Sequence, residues 1–488
     1  MNEPRAPTLI DAVIPIAVLI PLLALSVFLF GSDSSSGPNQ IALLSSAAVA
    51  AVVAGKNGHP WRDLERAIVG GISTAMRAIL ILLCVGALIG TWMMSGTVPA
   101  MIYYGLKLLN PEIFYAVTAL ICAIAAVSIG SSWTVAGTLG VALVGVSLGL
   151  GLSPAITAGA IVSGAYFGDK MSPLSDTTNL AAAVTGVDLF DHIRHMAWTT
   201  GPSFIIALVL FLLVGTGSEV SPDEIQLAAT MTTLERSFDI TPLGLLPLLV
   251  VFLMAVSKLP PLPTIFFGAL LGGLTAAWLQ PDVVIAFSGA AAAGPALAMT
   301  KGVWMALANG YVSATGTPEV DLLLSRGGMS SMLSTVWLII CALSFGAVME
   351  QAGFLARMIE AALRAARSTG SLFATVALTC IGVNAVAADQ YIAIVVPGKM
   401  YQPEFERRGL ARRNLSRIIE DSGTLTSPLV PWNTCGAYMA ATLGVATVAY
   451  APFAFFNLIN PFVSVLYAYL GFTIHRGSTV SQTEDNNG

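Results

Sequence analysis

Apolar residues run along this chain in long blocks, without the strict alternation of half-buried strands. The blocks fall at about 9–30, 40–55, 68–96, 113–152, 155–190, 199–216, 242–256, 262–279, 330–350, 371–398, 416–450 and 452–472. An apolar run of roughly 17–25 residues matches the hydrocarbon thickness of a bilayer, where backbone polar groups must be satisfied inside a helix or a closed barrel. The pattern predicts an all-α polytopic membrane protein. The first block is too long for the core of a secretory signal and opens a series of spans, so it reads as the first transmembrane helix.

Polar breaks inside these blocks carry the next layer of information. "GDKMSPLSDTTNLA" at 168–181 places Asp169, Lys170 and Asp176 among Ser172, Ser175, Thr177, Thr178 and Asn179. Its "SPLSDTTN" is echoed by "SPLVPWNT" at 427–434, and both run into a small-residue helix ending Gly-Val, at Gly186-Val187 and Gly444-Val445. Upstream, "LLCVGALIGTWMMSGTVPAMI" at 82–102 aligns with "IICALSFGAVMEQAGFLARMI" at 339–359, pairing Cys84 with Cys341 and Gly96 with Gly353. The offset is 257 there and 255 at the two Ser-Pro-Leu triplets. A near-constant offset over two separate segments indicates duplication.

Basic residues orient the copies, because cytoplasmic loops are enriched in Lys and Arg. Segments 56–67, 353–370 and 399–417 hold three, three and six of them, whereas 97–112, 147–155 and 217–241 hold one, none and one. With the first set inside, block 113–152 enters and leaves on the outside and block 371–398 on the inside. The copies are thus expected to be inverted: repeat 1 over 1–216, an extracytoplasmic acidic linker over 217–241, repeat 2 over 242–472 and a polar cytoplasmic tail over 473–488. Each hairpin block turns at a polar knot, "GSSWT" at 130–134 and "AADQY" at 387–391, and is expected to be re-entrant. The count is ten spans plus two hairpins in the cytoplasmic membrane, with both termini inside.

Composition agrees: 56% of residues are hydrophobic and 10% charged, against roughly 25% charged in soluble domains. The five cysteines show no Cys-x-x-Cys spacing, and none of the four histidines lies in a break; a metal cluster is not expected. "GVSLGLG" at 145–151 lacks the following Lys-Ser/Thr of a phosphate loop, and no nucleophile–base pair suggests an enzyme. No cofactor and no nucleic-acid partner is expected. The basic loops are explained by orientation, with anionic lipid a secondary partner; a homodimer is expected.

Pro173 and Pro428 remove a backbone donor and interrupt their helices. Irregular backbone at membrane depth is tolerated where it faces protein or a water-filled cavity, and paired broken helices are the usual frame of a secondary transporter's midplane site. Asp, Ser, Thr and Asn are hard oxygen donors suited to an alkali cation, and intramembrane carboxylates mark ion or proton pathways. The candidate cation- and proton-binding residues are Asp169, Ser172, Ser175, Asp176, Thr177, Thr178 and Asn179 in the first break. Ser131, Ser132 and Thr134 stand in the first tip, Asp389 and Gln390 in the second, and Ser427, Asn433 and Thr434 in the second break. A Na+ ion is placed at Asp169 and Asp176.

The stretch "GDKMSPLSDTTNLAA" resembles the signature of the NhaC-type Na+/H+ antiporters of the ion transporter superfamily, most closely over 128–200 and 384–450. The resemblance implies inverted repeats, paired hairpins, a mobile transport domain against a scaffold, and sodium exchanged for protons by alternating access. The same family includes exchangers of organic anions, malate against lactate among them. Coupled exchange of small organic acids or amino acids is therefore the alternative, with Trp133, Tyr391 and Trp432 near the breaks compatible with it. A channel or receptor is the least favoured membrane reading.

Overall fold

The computed structural model describes residues 4–217 and 224–477. Among these the regular elements are helical, and strand-like pairing is confined to two isolated bridges, Tyr311 with Arg326 and Leu410 with Arg476. Nine described helices are long and apolar enough to cross a membrane, or eleven if two sharply bent pairs each count as one span. The protein is an all-α, multi-pass membrane protein. Many outward side chains are large and apolar, such as Ile10, Phe28, Leu274 and Phe462, as contact with lipid requires.

Block 113–152 is two arms. Phe114–Ile129 turns at Gly130 and Ser131 into Ser132–Val135, which continues through a π turn, Ala136–Gly140, to Val141–Gly149. Block 371–398 is likewise Thr369–Val386 and Gln390–Arg407, joined by 387–389. The arms are 18 residues long or close to it, and the tips are buried, with Ser132 3% and Asp389 6% exposed. Block 155–190 breaks between Pro154–Met171 and Asp176–Thr185. Its counterpart runs Arg412–Ile419, a π turn Glu420–Thr424, a short turn Ser427–Leu429 and then Thr434–Leu443.

Residues aligned by the sequence repeat adopt matching conformations. Gly96 (φ 77°) ends Met76–Met94 and Gly353 (φ 71°) follows Leu333–Gln351, each opening a 12-residue helix, Thr97–Leu108 and Phe354–Ala365. Gly186 and Gly444 close the two small-residue helices at φ 68° and 69°.

Between helices in lipid there is no hydrophobic drive, so close approach of small residues does the work. Gly164 and Gly168 sit one turn apart on Pro154–Met171. A Cβ there would lie 2.1 Å from the Ala119 carbonyl oxygen and 2.4 Å from that of Ala123. The hairpin arm Phe114–Ile129 therefore lies directly on the broken helix.

The hairpins and breaks pack with Leu189–Thr216 and Phe455–Leu470; Leu9–Phe30 packs on Pro38–Lys56, which packs on Leu333–Gln351, and Met76–Met94 packs on Pro261–Leu279.

Some elements escape the apolar pattern. Block 68–96 splits at Ala75 into the amphipathic Trp61–Thr74 and the span Met76–Met94, and the stretch after residue 279 holds Pro281–Ser288, Pro295–Asn309 and Pro318–Leu324. These are short and interrupted by Gly and Pro, so no span-length run announces them. The expected linker carries a helix, Glu224–Ser237, whose part from Leu227 bends by 87° against Pro242–Val256. Its residues 218–223, and 478–488 of the expected tail, lie outside the described residues.

Candidate cation site

The first break begins where Pro173 denies the helix Pro154–Met171 its next turn. Four of the candidate residues make local hydrogen bonds that hold this break. Ser175 caps Asp176–Thr185, accepting from the Thr178 backbone N–H at 3.4 Å. Thr178 Oγ1 donates to the Lys170 carbonyl at 3.1 Å, and Asn179 Nδ2 donates to the carbonyls of Pro173 (3.0 Å) and Ser175 (2.6 Å). Ser172 Oγ accepts from the Leu174 N–H at 3.3 Å. Local side-chain bonds of this kind are the usual competitors of helix.

The first tip docks on this break at Gly130. Its φ of +74° suits glycine, and a Cβ would lie 2.6 Å from the Leu174 Cβ. Beyond it Ser131 caps the second arm, accepting from the Thr134 N–H at 3.3 Å and the Thr134 hydroxyl at 3.0 Å. Ser132 then reaches Asp169 twice: its N–H donates to Oδ2 at 3.1 Å and its hydroxyl at 2.6 Å. Asp169 is 5% exposed, and its Oδ1 makes no hydrogen bond.

The second tip is built differently. Ala388 takes φ +57° without being glycine, a strain of roughly 1–2 kcal/mol. Asp389 caps Gln390–Arg407, accepting from the Ile392 N–H at 3.0 Å. Gln390 Oε1 accepts from the Cys435 thiol at 2.6 Å. The Thr434 N–H donates to the Ala388 carbonyl at 3.0 Å. Asn433 caps Thr434–Leu443 and donates to the carbonyl and side-chain oxygens of Asn384, each at 3.1 Å. Ser427 donates to the Thr424 carbonyl at 2.7 Å. Asn433 and Ser427 are thus occupied in holding the second break.

Each tip also touches the opposite break. Tyr391 of the second tip donates to Asp176 Oδ2 at 2.5 Å. Trp133 of the first stacks on Tyr438, with ring centroids 3.9 Å apart and planes at 13°, and the Tyr438 hydroxyl donates to the Trp133 carbonyl at 2.8 Å.

Where the elements meet they enclose a cavity of about 340 Å³. Of the candidates, Ser131, Ser132, Asp169, Asp176, Thr177, Asp389, Gln390 and Thr434 line it, together with Arg77, Tyr391 and Cys435. Thr134 lines an adjoining recess of about 180 Å³ with Arg77, Asp176 and Lys258. Ser172, Ser175, Thr178, Asn179, Ser427 and Asn433 line neither. Three carboxylates, four hydroxyls and an amide around one space form a hard-oxygen donor set of the kind that strips water from an alkali cation.

Sequence reasoning missed the partner of Lys170, which forms a fully buried ion pair with Asp421 rather than with neighbouring Asp169. Consecutive helical residues point about 100° apart, so Asp169 faces the cavity while Lys170 faces the second break. Glu420, Asp421 and Arg417 were missed too, although three charges in an apolar block are a signal in their own right. His192 and His195 are buried beside them.

Broken helices, paired hairpin tips and a carboxylate-lined cavity between them define a membrane transporter of the secondary class. The model of the Na+/H+ antiporter family matches residues 164–472, and the chain belongs to that family. It is 39% identical over 422 residues to the Na+/H+ antiporter NhaC of Alkalihalophilus pseudofirmus, covering 86% of this chain and 88% of that one. It is 36% identical to the malate-2H+/Na+-lactate antiporter of Bacillus subtilis, over 96% of each chain. Against the arginine/ornithine antiporter ArcD of Halobacterium salinarum, identity is 35% over 99% of this chain and 96% of that one.

Proposed function

We propose that the chain exchanges Na+ for H+ across the cytoplasmic membrane by alternating access, through two inverted repeats whose re-entrant tips frame the site. The observation that carries this reading is the convergence of Asp169, Asp176 and Asp389 on one cavity, with the Asp169 Oδ1 free of hydrogen bonds. A dehydrated Na+ would bind between Asp169 and Asp176, with Ser132, Thr177 and Thr434 completing the oxygen shell and Asp389 contributing charge from the other repeat. A proton neutralises the same carboxylates when the cation leaves, because like charges crowded in a buried site do not all stay ionised. One site that takes either cation but not both is an exchanger.

In the orientation set by the basic loops, Thr74, Arg77, Lys258 and Pro261 at the mouth lie toward the cytoplasm, so this state is open inward. Cysteines at exposed Thr232 and Arg367, in a background without native cysteines, test the orientation. An impermeant thiol reagent should label the first only from outside and the second only from inside. Labelling from one face would overturn the inversion.

A second reading has its own observation. The cavity is larger than one ion needs, and Arg77 in its wall and Lys258 in the adjoining recess match a carboxylate, consistent with relatives named as malate–lactate and arginine–ornithine antiporters. Reconstituted protein with an imposed sodium gradient, an internal pH dye and organic acids or amino acids added separately decides between them. Proton movement driven by sodium alone supports the first reading; movement that needs an organic substrate supports the second.

A further inference from the structure

Behind the cavity wall lies a second polar cluster that the site above does not use. Its centre is the π turn Glu420–Thr424, a local overwinding that places side chains where a regular helix would not and that is frequent at functional sites. Asp421 pairs with Lys170 through Oδ1 and accepts from the Thr199 hydroxyl through Oδ2 at 3.0 Å. Arg417 donates to His195 Nε2 at 2.9 Å and to the Thr473 hydroxyl at 2.8 Å. His192 Nδ1 lies 2.9 Å from Ser416 Oγ. Arg417 Nε and Nη2 and His192 Nε2 make no hydrogen bond, but each ionisable group named so far has at least one partner.

Glu420 does not. It is wholly buried, and neither carboxylate oxygen makes a hydrogen bond of normal geometry, although the hydroxyls of Thr424 and Thr177 lie beside it. Thr177 is also a wall of the cavity, so a single side chain separates Glu420 from the proposed cation site. The buried charges around the turn are Asp169, Glu420 and Asp421 against Lys170 and Arg417, all at most 5% exposed. Three carboxylates face two fixed cations. An uncompensated buried charge is strongly disfavoured, so one further positive charge must be held there.

The other groups on the surrounding helices do not supply it. On Leu189–Thr216, His195 accepts from Arg417 at Nε2 and is therefore neutral, and His192, whose Nε2 is buried without a partner, has no acceptor for a second N–H. Cys380 on Thr369–Val386, Tyr401 on Gln390–Arg407 and Tyr166 on Pro154–Met171 are neutral in their ordinary forms, as is Tyr467 on Phe455–Leu470. Asp176 is exposed to the cavity and adds no positive charge.

We propose that Glu420 is a second proton-carrying group of the exchange cycle, reciprocally linked to cation occupancy at Asp169. With the cavity free of cation, Glu420 holds the proton that balances the cluster. When Na+ binds at Asp169 it supplies that charge, the Glu420 O–H bond breaks, and the proton leaves past Thr177 into the cavity. That proton leaves in addition to the one that the cavity carboxylates give up to the entering cation. This rests on the sodium–proton reading above.

The test uses the full-length protein and Glu420→Gln, which keeps the shape of the protonated acid. Two readouts are needed: proton release on adding NaCl to lightly buffered detergent-solubilised protein, and sodium-gradient-driven proton movement beside sodium–sodium counterflow in proteoliposomes. The variant should keep counterflow and the exchange carried by the cavity carboxylates, with proton release per bound Na+ falling to about half and driven proton movement per Na+ falling with it. Wild-type proton release and driven movement in the variant would overturn the proposal. So would loss of counterflow together with a lowered melting temperature, if Glu420→Asp then restored both with an unshifted pH profile, since that marks a structural role. A Glu420→Asp protein that keeps coupling with a displaced pH profile supports it. Wild-type protein that moves no protons under a sodium gradient would instead sink the exchange reading, and this inference with it.

Discussion

Between Met171 and Asp176 the chain is held by its own side chains; between Leu429 and Thr434 it is held by the neighbouring hairpin. In the first break Ser175, Thr178 and Asn179 bond to backbone atoms three to eight residues from themselves, and the hydrogen bonds to the hairpin tip run between Ser132 and Asp169. In the second, Asn433 reaches Asn384, Trp432 Nε1 donates to the Ala385 carbonyl at 2.7 Å, and the Thr434 N–H reaches Ala388. Gly436 is closed in as well, since a Cβ there would sit 2.0 Å from the Val430 carbonyl oxygen. The first break is self-supporting and leaves two carboxylates turned toward the cavity. The second is locked to its hairpin and contributes one hydroxyl, from Thr434. On the proposed function, the first break belongs to a cation-binding half and the second to a fixed half, and carboxylate chemistry marks which is which.

The largest expected effect follows from Asp169, the buried carboxylate with a bare oxygen. Asp169→Asn should lower sodium-driven proton movement by more than ~100-fold, a loss of at least ~2.7 kcal/mol of differential binding, while the solubilised protein still melts cooperatively. Exchange at near wild-type rate in that variant would dissolve the distinction between the two halves.

Asp176 is exposed at the mouth and bonded to Tyr391. Asp176→Asn should also stop exchange in the same flux assay. Tyr391→Phe, which removes only the hydroxyl, should change apparent sodium affinity by a few-fold, in keeping with the ~1 kcal/mol net worth of one hydrogen bond. An equal loss in both would move the tyrosine from support to binding.

Asp389→Asn tests the fixed half. If its charge completes the cation shell, apparent sodium affinity should weaken about tenfold, or ~1.4 kcal/mol. The sodium-dependent rise in melting temperature should shrink with it, because a ligand of the native state stabilises by mass action. A full rise retained in the variant would make Asp389 a helix cap and nothing more.

The smallest effect belongs to the self-supporting break. Ser175→Ala removes an N-cap and should cost ~1 kcal/mol of stability with sodium affinity unchanged, read as a lower melting temperature at equal sodium response. Weakened affinity at unchanged stability would return Ser175 to the binding shell.

Membrane residence, the all-helical class and the two breaks follow from the sequence alone. Lipid permits few backbone solutions, and proline set among polar residues marked the breaks, whereas Pro15, Pro202, Pro397 and Pro461 in apolar surroundings stay inside continuous helices. The matching glycines at 96 and 353, and at 186 and 444, were visible for the same reason: each ends its helix in a left-handed conformation that side chains disfavour. Which oxygens face one another was not visible. Ser175 and Asp169 look equally apt in "GDKMSPLSDTTN", yet one caps a helix and the other meets a tip 37 residues away. The pairing of Lys170 with Asp421 spans 251 residues, and only the packing of the breaks against each other selects it over the adjacent Asp169. Helix periodicity fixes direction along an element, but the rotation of one element against another is set by close-packed small residues whose contacts lie far apart in the chain. Those contacts, through Gly130, Gly164 and Gly168, decided which polar residues line the cavity.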